Sequence, residues 1–435
     1  MPKPDLLEPL RRPLFRRLAT SYAVNEIGDW MGIVALSVLV FDRTGSVLAT
    51  AGLFLGTRFL PALLAPILVA RVERPQPRFS LPVIYCGEAA AFGGLALLAS
   101  ADHFSLAAVI VLATVDGALA LAGRALTRAV VASLLEPTAE LRAGNALLNI
   151  AFTGGAAIGP GLAGIVVAGL GVETALLLDA VSFYAVAWIL ITAGRLPQAE
   201  PEEGRMQDRV RAGLAYIRQK VELRRLLVAE GAAFVFFAAV IPVEVVYAKE
   251  TLGVGDSGYG LMLASWGIGM VLGSFLFAAV RKMSLAYLLF FSTLAVGVGY
   301  LGLAVAPTLG VACVASVVGG SGNGVQWVST ISAVQELTVE GMQARVMSVL
   351  ESIGAAMPGV GFAVGGIVAS IATPRTTFLV AGVGIFAIVA IVTPSLGRNW
   401  LERAASPTSS KLDVDDDVVL ELIPGSWPMQ SDSEV

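Results

Sequence analysis

Polar residues break this chain at short intervals, and between the breaks lie apolar runs of about 20 residues, repeated from residue 18 to residue 396. A helix rising 1.5 Å per residue needs about 20 residues to cross about 30 Å of hydrocarbon. The runs fall at 18–41, 46–70, 80–100, 105–127, 143–168 and 173–194, then at 226–247, 257–280, 284–305, 307–333, 344–372 and 376–396. That pattern predicts an all-α membrane protein of about twelve spans. The longest internal polar stretch, 195–225, separates six runs from six. The predicted divisions are an amino-terminal segment 1–17, a six-helix bundle 18–194, a linker 195–225, a second six-helix bundle 226–396 and a disordered tail 397–435.

The first run follows Arg11, Arg12, Arg16 and Arg17 but is too long for a signal-peptide core and has no small-residue cleavage site after it, so it is expected to be retained as a span. Within the linker, Val210, Leu214, Ile217 and Val221 recur at helical spacing among Arg209, Arg211, Arg218, Lys220, Arg224 and Arg225. A basic amphipathic helix on the membrane surface, or a plain linker helix, is expected there. Ala163-Gly164-Ile165-Val166 in the fifth run matches Gly365-Gly366-Ile367-Val368 in the eleventh, an internal repeat in register with the six-plus-six division.

Composition agrees with a bilayer environment: 56% of residues are hydrophobic and 14% charged, where soluble domains carry about a quarter charged. Of the 29 Lys and Arg, 25 fall on the side of the chain termini, three (Arg43, Lys249, Arg375) on the other side and one, Arg58, within the membrane. By the positive-inside rule both termini are expected to be cytoplasmic in a multi-pass protein of the cell membrane. The formal charge of −4 implies no nucleic-acid partner. Cys86 and Cys313 lie far apart in apolar runs and offer neither a disulfide framework nor a metal-binding spacing. None of the five lysines follows a glycine, which excludes a phosphate-binding loop of the Walker kind. The one histidine, His103, lies in a short loop, so histidine-based nucleophile activation and a two-histidine zinc site are not expected. The residues thus predict no enzyme, no cofactor and no metal.

An ionisable group at bilayer depth costs about 2.5 to 3.5 kcal/mol on insertion scales, which makes each one a functional candidate. Asp29, Arg58 and Asp116 fall near the centres of the first, second and fourth runs, and Glu26 lies one turn from Asp29. An arginine at the midplane needs an anionic partner, for which Asp29 and Asp116 are the candidates. The pair is read either as a static register-fixing contact or as a proton-coupling device. Glu88 and Asp179 are read as structural, Asp179 as a helix cap, and Glu230 and Glu244 as marking the two ends of the seventh run. Trp266, Gln326 and Trp327 are the carboxy-terminal side chains expected nearest a cavity.

The fifth run reads GGAAIGPGLAGIVVAG, and Gly155, Gly159, Pro160 and Gly164 fall on the pattern that antiporters of the major facilitator superfamily carry in that helix. RFLPALLAP, LLDAVSFY, RAGLAYIRQKVELRRLL and GYGLMLASWGIGMVLGS extend the likeness over nearly the whole chain to about residue 396. The sequence resembles that superfamily, and within it the branch of the enterobactin exporter and related drug-efflux proteins. It departs between the second and third runs, where Ala70 stands in place of an Asp, followed by Arg71, Glu73 and Arg74 as the expected cytoplasmic gate loop. The resemblance implies two six-helix bundles working by alternating access, with the first, second and fourth spans lining a central cavity. It implies proton-coupled efflux of a lipophilic or amphipathic small molecule (drug, siderophore or secondary metabolite), with protons and the lipid bilayer as the other partners, by a monomer. Import or uniport of a small solute, and a non-transporting receptor or scaffold on the same fold, are the alternative readings.

Overall fold

The computed structural model describes residues 7–63, 80–101, 104–135, 139–193, 206–280 and 283–395. The gate-loop residues Arg71, Glu73 and Arg74, His103 and the tail 397–435 lie outside them. Six helices make the amino-terminal half: α1 (Pro13–Thr44), α2 (Val47–Leu63), α3 (Ser80–Ser100), α4 (Leu106–Leu134), α5 (Ala139–Leu170) and α6 (Val172–Thr192). The connecting helix α7 (Met206–Gln219) leads to α8 (Val221–Thr251), α9 (Asp256–Ala279), α10 (Leu285–Val305), α11 (Leu309–Glu336), α12 (Gln343–Ile371) and α13 (Pro374–Ser395).

Ten of these helices are long and apolar enough to cross a bilayer. The other two expected spans are α2, described over Val47–Leu63, and α11, whose Gly, Ser, Asn, Gln and Thr residues dilute its apolar ones. The ends differ from expectation in two places that matter. Helix α4 runs to Leu134, about two turns past residue 127, and α8 begins at Val221 rather than residue 226. Helices α5 and α12 continue through Pro160 and Pro358. A membrane helix tolerates such prolines because neighbouring groups satisfy the carbonyl that each leaves free.

The two halves repeat one packing plan. Helix α1 packs on α5 and α6, and α3 on α4 and α6; in the second half α8 packs on α12 and α13, and α10 on α11 and α13. The halves meet where α5 packs on α9 and α12 on α2, two contacts that the same repeat relates. Six-plus-six division is therefore visible in the packing as well as in the matched GIV segments. We call the side holding residue 7 and the end of α13 the terminal side, and the opposite one the distal side.

Among the described residues, contact between the halves runs from the distal ends to the middle of the helices, where Gly267 of α9 lies against Ala156 of α5. Lys249 joins Asp42 at the end of α1 (2.5 Å) to Asp256 at the start of α9 (2.7 Å). Deeper in, the Phe54 and Phe362 rings approach to 5.5 Å. Near the terminal side, the ion pair that joins the halves among the described residues is Arg128–Glu351 at 4.0 Å, with both side chains at least two-thirds exposed. An exposed pair at that distance contributes little. The basic linker helix does not rest on a lipid surface with its whole apolar face: Gly213 lies against the Arg345 carbonyl of α12, and Tyr216 and Ile217 are buried with Leu223, Val346 and Val349. Leu214 and Val221 of the same predicted face remain exposed.

Candidate functional site

Tyr22, Asn25, Glu26 and Asp29 recur every three or four residues on α1, so one face of an otherwise apolar helix is polar. Opposite them α4 contributes Asp116 and Arg124. The Arg124 Nη1 lies 3.6 Å from Asp29 Oδ2, with side chains 27% and 13% exposed, and Asn25 donates to the same oxygen at 3.3 Å. The expected partner, Arg58, forms no ion pair within 4 Å of a carboxylate among the described residues. It stands in a π-helical turn, Leu55–Phe59, within Coulombic range of Arg124, Asp29, Glu26 and Asp116. Such turns insert an extra residue into a helix and concentrate at functional sites. Here α4 closes on the turn, since a side chain at Gly117 would meet the Thr57 carbonyl.

Arg58 is therefore not the lone basic residue in the interior. The count of 25 terminal-side Lys and Arg includes Arg124, because the fourth apolar run ends at residue 127; with α4 extending to Leu134, Arg124 falls at the level of Asp29, the middle of α1.

Two further carboxylates belong to the same cluster. Glu88 and Asp179 are fully buried, and the charges acting on them include Asp29 and Asp116. Asp179 lies well inside α6 and caps nothing; its carboxylate fills a notch left by Gly28 and Gly32 on α1, where any side chain would collide with it. Ser182 donates to its Oδ1 at 3.2 Å. The signal that could have found this contact is the pair of glycines one turn apart beside the most polar span. Both oxygens of Glu88, Oδ1 of Asp116 and Oδ2 of Asp179 are buried without a hydrogen-bond partner among the described residues, while Glu26 interacts with Tyr22. Five carboxylates thus share two guanidiniums in an interior where an ionised, unpaired group is costly.

The antiporter-like residues of α5 face two ways. Gly155 and Gly159 press on α1: a Cβ at Gly155 would stand 3.0 Å from Glu26, and one at Gly159 2.6 Å from Trp30 Cβ. Gly164 presses instead on α9, where a Cβ would stand 2.9 Å from the Asp256 carbonyl, and the Pro160 carbonyl abuts Gly260. Small residues allow this backbone-to-backbone approach. A bulky residue at Gly159 would therefore part α5 from α1 inside one half, whereas at Gly164 it would part the two halves.

In the carboxy-terminal half, α8 carries Glu230 in its interior rather than at an end, and the Thr330 hydroxyl of α11 donates to its Oε2 at 3.3 Å. Gln326 interacts with the same carboxylate. Trp327 is 41% exposed and meets Phe234 edge-on at 6.2 Å. Trp266 belongs to packing: it stacks on Tyr300 at 5.3 Å and covers Gly319 and Gly320. Among the described residues no group of three or more His, Cys, Asp or Glu is arranged to hold a metal ion.

No curated protein matches the sequence. Similar solved structures include a bacterial homologue of the human lysosomal transporter Spinster, inward-facing and occupied, at 13% identity and a TM-score of 0.70, covering 92% of this chain and 99% of that one. The nucleoside transporter NupG is 12% identical with a TM-score of 0.67, over 88% of this chain and 98% of its own. A POT family transporter in complex with a thioalcohol-conjugated peptide is 12% identical with a TM-score of 0.68, over 88% and 96%. At these identities the likeness is one of fold. The model of the transmembrane secretion effector family matches residues 5–419, so the chain belongs to that family, as a transporter on the major-facilitator fold.

Proposed function

We propose that the protein is a proton-coupled exporter of a lipophilic or amphipathic small molecule, working by alternating access with both termini in the cytoplasm. The carrying observation is the cluster around α1, in which the cations that Glu26, Asp29, Glu88, Asp116 and Asp179 share among the described residues are Arg58 and Arg124. Two guanidiniums balance two carboxylates at most. The others must bind protons or water when the cavity closes, so opening to either side exchanges protons with that side. The absence of a Walker-type loop from the sequence removes nucleotide hydrolysis by this chain as the energy source. The likeness to the enterobactin-exporter and drug-efflux branch, the asymmetric distribution of Lys and Arg, and halves held together at the distal side support export from a cytoplasm-facing state.

The Asp29–Arg124 pair is the coupling element in this reading. Asp29→Asn keeps a hydrogen-bond acceptor for Arg124 and cannot titrate. Purified protein in proteoliposomes, loaded with an amphipathic dye against its gradient, is expected to lose pH-dependent transport with this variant. Wild-type transport that survives collapse of the proton gradient by an uncoupler, at an uphill dye ratio, would overturn the coupling. A normal pH profile in Asp29→Asn together with an inactive Asp116→Asn would move the proton site to α4.

A further inference from the structure

The carboxy-terminal half holds a second polar site that proton coupling does not use. We infer that Glu230, with Gln326 and Thr330 beside it and the Phe234–Trp327 rings one turn away, anchors a protonated amine on an amphipathic transported molecule. The inference rests on the transport reading above and names the substrate class.

Three observations carry it. The first is the direction in which these side chains point. Val311, Val314 and Val318 form an exposed apolar stripe on α11. Trp327 stands nine residues past Val318, which at 3.6 residues per turn is about half a turn round the helix. Its exposure is therefore on the side away from that stripe, toward α8, where it meets Phe234. On α8 the exposed residue Val228 lies likewise about half a turn from Glu230, which is 7% exposed and turned to α11. The site lies between α8 and α11, on the inner side of both.

The second observation is the chemistry of the site. Glu230 receives a hydroxyl and interacts with an amide, both neutral, and no basic residue reaches it among the described residues. A carboxyl group held only by neutral donors has no cation of its own, so an incoming ammonium can supply one, and an N–H bond to the carboxylate is of the stronger, charge-assisted kind. The adjoining ring faces can take an apolar body and stabilise a nearby cation.

The third is the charge balance of the whole interior. The five carboxylates of the amino-terminal half, with Glu230 and Glu244, outnumber the two guanidiniums of Arg58 and Arg124, while the exposed Arg128–Glu351 pair cancels itself. Carboxyl groups in excess of the guanidiniums can take an added cation in place of a bound proton or water, whereas no spare guanidinium is left for an added anion. Arg58 already faces more carboxylates than it can balance, so it does not invite an anionic substrate.

The test is binding to the full chain in lipid nanodiscs, followed by quenching of tryptophan emission. Three probes are compared: rhodamine 6G, a cationic amphiphile with N–H donors; tetraphenylphosphonium, a cation without donors; and fluorescein, an anion of similar size and planarity. Wild type is expected to bind rhodamine 6G best and fluorescein least. Glu230→Gln, which keeps the shape, should weaken rhodamine 6G at least ten-fold and tetraphenylphosphonium by less. Trp327→Leu, read by the polarisation of the probe, should weaken both cations. Rhodamine 6G binding unchanged by Glu230→Gln, fluorescein binding as tight as rhodamine 6G, or no wild-type binding of rhodamine 6G would each overturn the assignment. Binding is measured without a gradient, so failure of proton coupling would leave these results standing.

Discussion

Around α1 five carboxylates meet two guanidiniums, whereas the matching interior around α8 holds Glu230, Glu244 and a chain of rings running through Phe237, Trp266, Tyr300 and Phe378. The helices surrounding α1 and α8 are arranged alike, so the difference lies in the residues and not in the scaffold. In the proposed reading one half gains and loses charge; the other is stiffened by stacked aromatics and by glycines that bring α9, α10 and α11 into backbone contact. A duplicated fold can divide its work in this way: a chargeable half changes its own electrostatics, and a rigid half gives a ligand a constant surface. Lone charges on facing helices would otherwise have to do both.

The comparison breaks most sharply on removal of one charge from each half. Arg124→Ala deprives a mostly buried Asp29 of its ion partner, a loss that costs about 3 to 5 kcal/mol when such a pair is broken. The melting temperature in detergent should fall accordingly, and adding Asp29→Asn should recover much of the loss. Glu230→Gln strands no opposite charge, so its melting temperature should stay within about 1 kcal/mol equivalent of wild type. Equal losses in the two single variants would show that the halves do not differ as described.

A smaller effect separates the glycines of α5. Gly159→Leu overpacks the α1–α5 contact, at a cost of about 1 to 3 kcal/mol, and should lower stability and disturb the Glu26–Asp29 face. Gly164→Leu falls where α5 meets α9, so it should leave each half intact but hold them apart distally. Spin labels at the distal ends of α1 and α9 would report the separation. An increase for Gly159→Leu and none for Gly164→Leu would reverse the assignment.

The smallest expected change comes from the distal ion contacts. Lys249→Ala removes the bridge from Asp42 to Asp256, and partly exposed pairs of this kind contribute up to about 1 kcal/mol. The population open to the distal side should rise by at most about five-fold, measurable by the same labels. A larger rise would make this bridge the main lock between the halves.

Much of this was legible in the sequence, for identifiable reasons. The spans could be found because every backbone polar group in hydrocarbon must be satisfied within a helix, which enforces long apolar runs. Asp29, Glu26, Arg58 and Asp116 stood out because a charge in such a run is expensive, and α1, α2 and α4 do bring them together. Arg124 was hidden because hydropathy marks where apolar residues stop, while α4 continues for two turns beyond that point. Asp179 was hidden for another reason. Its partners Gly28 and Gly32 are some 150 residues away, and although two glycines one turn apart mark a close approach on α1, they do not say which helix makes it. Gln326 was found as a polar residue in a glycine-rich span, but Trp266, equally prominent in sequence, is used for stacking.

The three cations on the distal side have a consequence for how the chain is made. Arg43 donates to the Ala99 carbonyl, 56 residues downstream, while Arg375 donates to Ala304 and Ala306, 71 and 69 residues upstream. Lys249 likewise finds Asp42 already synthesised, 207 residues earlier. In the orientation proposed above, with the termini cytoplasmic, each cation would cross against the membrane potential, which opposes it by about 2.3 kcal/mol per charge at 100 mV. Lys249 and Arg375 arrive where acceptors wait; Arg43 arrives alone and stays unsatisfied until α3 has been translated. Arg43 is thus the one cation of the three that must wait for its acceptor to be synthesised. The smallest nascent chain able to hold α1 in its final orientation should end beyond residue 100, and shorter ribosome-bound chains should leave Arg43 free to slip back.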